Sequence, residues 1–155
     1  MSNKPVIESL KKVLADSYAL ALKTQNYHWN VEGENFNGLH KLFEAQYNEI
    51  DAAIDVIAER IRALGEKSPG TFAAFTKLKS IPDADSDLDG YAMVKDLYKS
   101  NQMMVDTLKA AFEKSDKAGD EGTSDLYVGR MRAHEKAAWM LRSTLPTAHR
   151  AKLAA

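Results

Sequence analysis

Apolar residues recur along this chain at intervals of three and four, the period of one face of an α-helix. The first such run covers about residues 5–31, with Ile7, Leu10, Leu14, Tyr18, Ala21, Leu22 and Gln25 sharing a face. Pro5 suits a first helical position. The segment Glu32, Gly33, Glu34, Asn35 breaks the run. A second run covers about residues 37–64, with Leu39, Leu42, Phe43, Ile50, Ile54, Ile57, Ile61 and Leu64 as its apolar positions. Gly65 is a C-terminal stop and residues 67–70 are a turn. A short apolar piece at 71–78 is too short to stand alone and is expected to pack on the other helices. Residues 81–87 form an acidic loop. A third run, about 88–118, carries Met93, Val94, Leu97, Met104, Leu108 and Phe112. A fourth, about 124–143, carries Leu126, Val128, Met131, Ala138, Trp139 and Leu141, and Pro146 ends it. The pattern predicts an all-α four-helix bundle with a short extra helix between the second and third long helices. That connection is about two dozen residues long, enough to run the length of a bundle.

Composition narrows the chemistry. The 155 residues suit one domain, here taken as 1–155 with short flexible termini at about 1–4 and 147–155. The formal net charge of -1 gives no overall pull towards nucleic acid or an anionic membrane. With no cysteine, disulfides, thiolate metal sites and thiol nucleophiles are excluded. No apolar run reaches the roughly 20 residues that span a bilayer. The N-terminal residues lack a signal-peptide core, so a cytoplasmic protein is expected.

The chemically informative stretch lies between Asn26 and Arg60. On a helix, His40 and Glu44 fall one turn apart on one face, and Asp55 and Glu59 form a second such pair. All four lie on one side, with Asp51 near them. For an isolated acidic pair, a solvated outer face is the ordinary reading. Here the stripe includes a histidine, and it lacks the mixture of charge signs that a solvated face normally has. His40 and Asp55 are separated by roughly 22 Å of helix axis, so one chain cannot bring them to one ion. If two copies of the second helix pack antiparallel about a two-fold axis between Asn48 and Asp51, His40 and Glu44 face Glu59 and Asp55 of the other copy. His28, at the end of the first helix, can be carried back beside His40 by the reversal at 32–35. A packed core histidine is the plainer alternative for His28. Imidazole with carboxylates suits iron, manganese or zinc. No histidine has a glutamate three residues before it: those positions hold Gln25, Asn37, Met131 and Pro146. The Glu-x-x-His pairs of bundle-interior di-iron centres are therefore missing.

At these residues the chain resembles the Dps family of ferritin-like proteins, the mini-ferritins, also known as DNA-binding proteins from starved cells. The string YHWNVEGENFNGLHKLFE, the spacing to DVIAER and the later KAAWMLRS carry the resemblance. It implies a ferritin-like four-helix bundle assembled into a hollow dodecamer of two-fold dimers. It implies that His28 and His40 bind iron from one subunit, and Asp55 and Glu59 from its two-fold partner. Glu44 stands where many members have Asp, so it is expected at a second, weaker iron position. The resemblance further implies oxidation of Fe2+, preferably by H2O2, and storage of ferric mineral. For Trp29 it implies interception of radicals, with packing at the dimer contact as the alternative.

By the same resemblance, Asp120, Glu121 and Asp125 are candidates for iron-uptake pores; an acid-rich helix N-terminus is the plain alternative. Glu49 is a candidate for seeding mineral. Family members that condense DNA carry Lys-rich tails. This chain offers only Lys4 before the first helix, and His149, Arg150 and Lys152 at the end. Weak DNA binding is therefore expected, and a mainly DNA-compacting shell in the nucleoid is the rival function. Zn2+ and Mn2+ are alternative occupants of the iron site.

Overall fold

The computed structural model describes residues 3–153. Among them are α1 (Lys4–Asn30), α2 (Phe36–Ala63), α3 (Phe72–Leu78), α4 (Gly90–Lys117), α5 (Glu121–Thr144) and α6 (Thr147–Arg150), with no strand. The long helices match the four hydrophobic runs to within a few residues. Their starts follow local chemistry. Pro5 sits in the first turn of α1. Asp89 and Asp120 each cap a helix by accepting a backbone N–H, from Ala92 and Thr123 respectively.

Helices α1 and α2 form one antiparallel hairpin and α4 and α5 another, and α1 packs along α4. The long connection after α2 carries α3, which rests on α1. It is pinned there by Asp16, whose buried carboxylate accepts the backbone N–H groups of Ser80 (2.6 Å) and Ile81 (3.1 Å) and pairs with Lys12 at 2.7 Å. The core is built from Leu10, Leu14, Leu20, Phe43, Ile57, Ile61, Met93, Leu97, Met104, Leu108 and Leu141, all buried.

Three features depart from the sequence pattern. Tyr18 and Leu22 share the periodicity of α1 yet lie exposed, as does Trp139 on α5. The interior also takes in polar groups that hydropathy places outside: Lys23 and His134 are fully buried, each inside a hydrogen-bond network. Thirdly, residues 147–153 are not a loose tail. The short α6 folds back, with Arg150 Nε donating to the carbonyl of Leu145 and His149 packed against Tyr91. The expectation for residues 1, 2, 154 and 155 lies outside the described residues.

Candidate metal site at the edge of the bundle

The reversal between α1 and α2 takes five residues, 31–35. It turns on Gly33 at φ 85° and on Asn35, left-handed at φ 61°. The Asn35 side chain then lies over the first turn of α2. A Cβ on Gly38 would approach its Oδ1 to 2.5 Å, so glycine leaves the space this turn needs. The reversal brings His28 against His40. Their rings stack with centroids 3.8 Å apart and planes 14° apart.

The hydrogen bonding of this pair is reciprocal. His28 Nδ1 lies 2.7 Å from the carbonyl oxygen of His40, and His40 Nδ1 lies 2.6 Å from the carbonyl oxygen of His28. A carbonyl only accepts, so both Nδ1 atoms carry the proton and donate. Both Nε2 atoms are then bare lone pairs with no hydrogen-bond partner among the described residues. Orientation of a histidine through Nδ1 and a carbonyl is the usual preparation of Nε2 as a metal ligand. The pair is braced by Phe36, stacked on His40 at 5.2 Å, and by Tyr47, edge-on to His28 at 5.4 Å. These two braces were not singled out from sequence. The signal was there, since Phe36, His40 and Tyr47 are spaced four and seven apart on one face of α2.

The carboxylates of the stripe are open. Glu44, Asp51, Asp55 and Glu59 are exposed along α2, and among the described residues none makes an ion pair or side-chain hydrogen bond. Partial desolvation against the helix surface raises the Asp51 carboxyl above its ordinary value, although the residue is exposed overall. Asp55 and Glu59 remain about 22 Å and about 28 Å along the α2 axis from His40. Among the described residues, no three His, Asp or Glu side chains converge to hold a metal ion. Trp29, beside His28, is 61% exposed. With Tyr18, Leu22 and Phe72 it lines one open apolar groove between α1 and α3.

The other sequence-derived candidates are placed differently. Asp120 caps α5, accepts from Thr123 Oγ1 at 2.6 Å and pairs with Arg60 at 2.7 Å. Hydrogen bonds from Thr123 and the Arg60 charge hold its carboxyl below the usual range against the cost of burial. Glu121 and Asp125 are exposed in the first turns of α5. Glu49 is clamped by Arg130 Nη1 at 2.5 and 2.9 Å. Arg130 Nη2 donates to His134 Nε2 at 3.2 Å, and His134 Nδ1 donates to Asn101 Oδ1 at 2.9 Å. Burial, helped by the Arg130 charge, pushes the His134 pKa down to about 3, so this imidazole is neutral.

A ferritin-like domain family matches residues 7–151. The DNA protection during starvation protein 2 of Bacillus anthracis is 42% identical over 143 residues, 92% of this chain and 98% of that protein. The crystal structure of a Dps protein from Bacillus brevis superposes with a TM-score of 0.90 at 34% identity, covering 94% of this chain and all of that one. A Dps protein from Vibrio cholerae O1, described as a member of a broad superfamily of ferritin-like diiron-carboxylate proteins, gives a TM-score of 0.88 at 30% identity over 93% of this chain and 91% of its own. The stacked histidine pair thus sits on a bundle whose ancestry is settled: the chain belongs to the ferritin-like proteins, in the Dps family.

Proposed function

We propose that this protein takes up Fe2+, oxidises it with H2O2 and stores the ferric product in a hollow dodecamer of two-fold dimers. This activity limits oxidative damage to the cell and its DNA. One observation carries the reading: the reciprocal clasp of His28 and His40 leaves two bare Nε2 atoms beside a stripe of unpaired carboxylates. An isologous dimer with α2 antiparallel to its copy brings Asp55 and Glu59 of the partner subunit to the histidines, twice per dimer. The exposed groove at Tyr18, Leu22, Trp29 and Phe72 supports a contact on this side, because a contiguous apolar patch marks an interaction surface.

The residues divide the work. Imidazole and carboxylate donors suit Fe2+ while admitting Zn2+ or Mn2+. His28 and His40 hold the ion with neutral nitrogen. Asp55 and Glu59 supply the negative charge that favours the ferric product over the ferrous substrate. Glu44, one turn from His40, is placed for a second ion. Two ferrous ions together supply the two electrons that reduce peroxide to water, so no hydroxyl radical is released.

The reading is tested by subunit mixing. Alone, His40→Ala and Asp55→Ala shells each oxidise iron slowly. Dissociated and reassembled together, they form heterodimers in which one of the two sites is native. Random pairing restores about a quarter of the wild-type sites. A mixture no faster than its parents would falsify the shared site. A native mass of one chain, in place of twelve, rejects the assembly. The charged tail residues His149 and Arg150 are engaged in the α6 fold-back. DNA retardation that vanishes at moderate salt is therefore expected.

A further inference from the structure

We propose that Asn37, followed by Gly38, is a deamidation site whose product carboxylate stands one helical turn before His40 and tightens metal binding at the histidine pair. The second half of this inference rests on the iron reading above; the modification itself does not.

The chemistry is an attack within the chain. The backbone nitrogen of the following residue adds to the side-chain carbonyl carbon of an asparagine. The new N–Cγ bond closes a succinimide ring, and the side-chain amide leaves as ammonia. Water then opens the ring at one of its two carbonyls, giving aspartate or isoaspartate. Asparagine and water have become a carboxylate and ammonia, so no oxidant, reductant or cofactor is consumed. Two conditions decide which asparagine reacts. The attacking N–H must be free, and it must be uncrowded.

Asn37 and Gly38 form the one Asn-Gly pair in the sequence. Both are exposed, in the first turn of α2. Gly38 has no side chain to crowd its nitrogen, and the turn itself demands that, because a Cβ there would meet Asn35 Oδ1. Its N–H is also free. The first backbone bond of α2 runs from Leu39 to the Asn35 carbonyl at 3.0 Å, so Gly38 carries one of the N–H groups that a helix start leaves over. An asparagine at the N-cap normally accepts such a donor through its side chain. Asn35, held left-handed, makes no such bond. Ring closure needs the first turn to open. The backbone bonds that hold it are those from Phe36 to Gly33 at 3.1 Å and from Leu39 to Asn35, and helix ends fray.

The asparagines nearby lack these conditions. The Asn26 amide donates to Ser86 at 3.1 Å, and the Asn30 amide donates to the Asn26 carbonyl at 2.9 Å. Asn26 precedes Tyr27 inside α1. Asn30 precedes Val31, whose N–H bonds the Tyr27 carbonyl at 3.0 Å, and Asn35 precedes Phe36, whose N–H bonds Gly33. Each of these followers also carries a bulky side chain.

The new charge falls where the fold favours it. The first turn of α2 holds no acidic residue, and an anion there suits the positive end of the helix dipole. Positions 37 and 40 share a face one turn apart. An acid three residues before a histidine is the spacing with which helix bundles hold iron, and the unmodified chain has it at none of its four histidines. Deamidation gives His40 that neighbour from its own chain, and the added negative charge attracts a divalent cation to the bare Nε2.

The test ages the assembled protein at mildly alkaline pH, where base removes the amide proton, and then digests it with trypsin. Cleavage after Lys23 and Lys41 yields one peptide, residues 24–41, that contains Asn26, Asn30, Asn35 and Asn37. Fragment masses locate each exchange of NH2 for OH. Conversion at Asn37 should outpace that at the other three by about tenfold or more, a barrier difference of about 1.4 kcal/mol. Equal rates at the four positions, or no conversion at Asn37, overturn the proposal. Calorimetry with Zn2+, which is not oxidised, reads the second half. Asn37→Asp should bind Zn2+ about tenfold more tightly than Asn37→Gln, whose longer amide resists cyclisation. Equal affinities that both vanish in His28→Ala with His40→Ala overturn the metal half and keep the histidine site. Zn2+ binding that ignores the loss of both histidines removes the iron reading and the metal half together, and leaves the modification to the fragment masses.

Discussion

Two histidine neighbourhoods in this chain use similar parts to opposite ends. Inside the bundle, His134 has both ring nitrogens engaged, one with Asn101 and one with Arg130, whose charge is in turn matched by Glu49. At the α1–α2 edge, His28 and His40 each have one nitrogen engaged, and the carboxylates of Glu44, Asp55 and Glu59 on α2 have no side-chain partner among the described residues. The interior set is closed and spends its polarity on holding three helices in register. The edge set is open, and under the proposed function a second copy of the chain completes it. The lesson is that residue type alone does not mark a binding site; unsatisfied valence, held in place by satisfied neighbours, does.

The comparison breaks first if the edge histidines turn out to be structural. His28→Ala combined with His40→Ala should slow peroxide-driven Fe2+ oxidation by more than about 100-fold, beyond the 10–100-fold typical of losing one outer-shell partner. The native mass should stay that of the wild-type shell. His134→Ala should do the reverse. It leaves Arg130 and Asn101 without their shared partner and costs about 2–4 kcal/mol in denaturant unfolding, with iron oxidation by the folded shell unchanged.

A gentler probe is pH. Folded, His134 takes a proton only near 3; unfolded, it does so near 6.5. Between those values the unfolded chain binds the extra proton. Stability should therefore fall as pH drops from about 6.5, by up to about 1.4 kcal/mol per pH unit. Asp120, whose folded-state pKa is depressed, adds its own loss only at more acid pH, below the ordinary carboxylate value. His134→Gln should flatten the upper part of this acid limb, and an unaltered limb places its cause elsewhere. The smallest change is expected for Glu44→Gln. It should weaken binding of a second Fe2+, seen by calorimetry, by less than about tenfold while the first ion still binds.

The helices were legible because each long run of apolar residues keeps one period and ends at glycine or proline. The crossover was legible from its length. What hydropathy hid were polar groups satisfied by distant partners. Lys23 and Asp96 are far apart in sequence, and only the packing of α1 on α4 makes burial of the lysine tolerable. Tyr18 and Leu22 misled in the other direction. Their period places them on an apolar face, but no element of the described chain covers that face. At the site, the pairing of His28 with His40 could be read from the short reversal. The reciprocal bonds to each other's carbonyl could not, because they depend on the left-handed turn at Asn35. The α6 fold-back escaped because Pro146 reads as a terminator, whereas it is the N-cap of another short turn of helix.

The mutual grip of the two edge histidines has a consequence for acidity. Each Nδ1 hydrogen is already committed to a carbonyl, so any further proton can land only on Nε2. Under the proposed function, hydrogen ion and metal ion therefore contend for one and the same electron pair on each ring. Loading the protein with metal must then expel whatever protons those nitrogens hold, and acidification must drive the metal off.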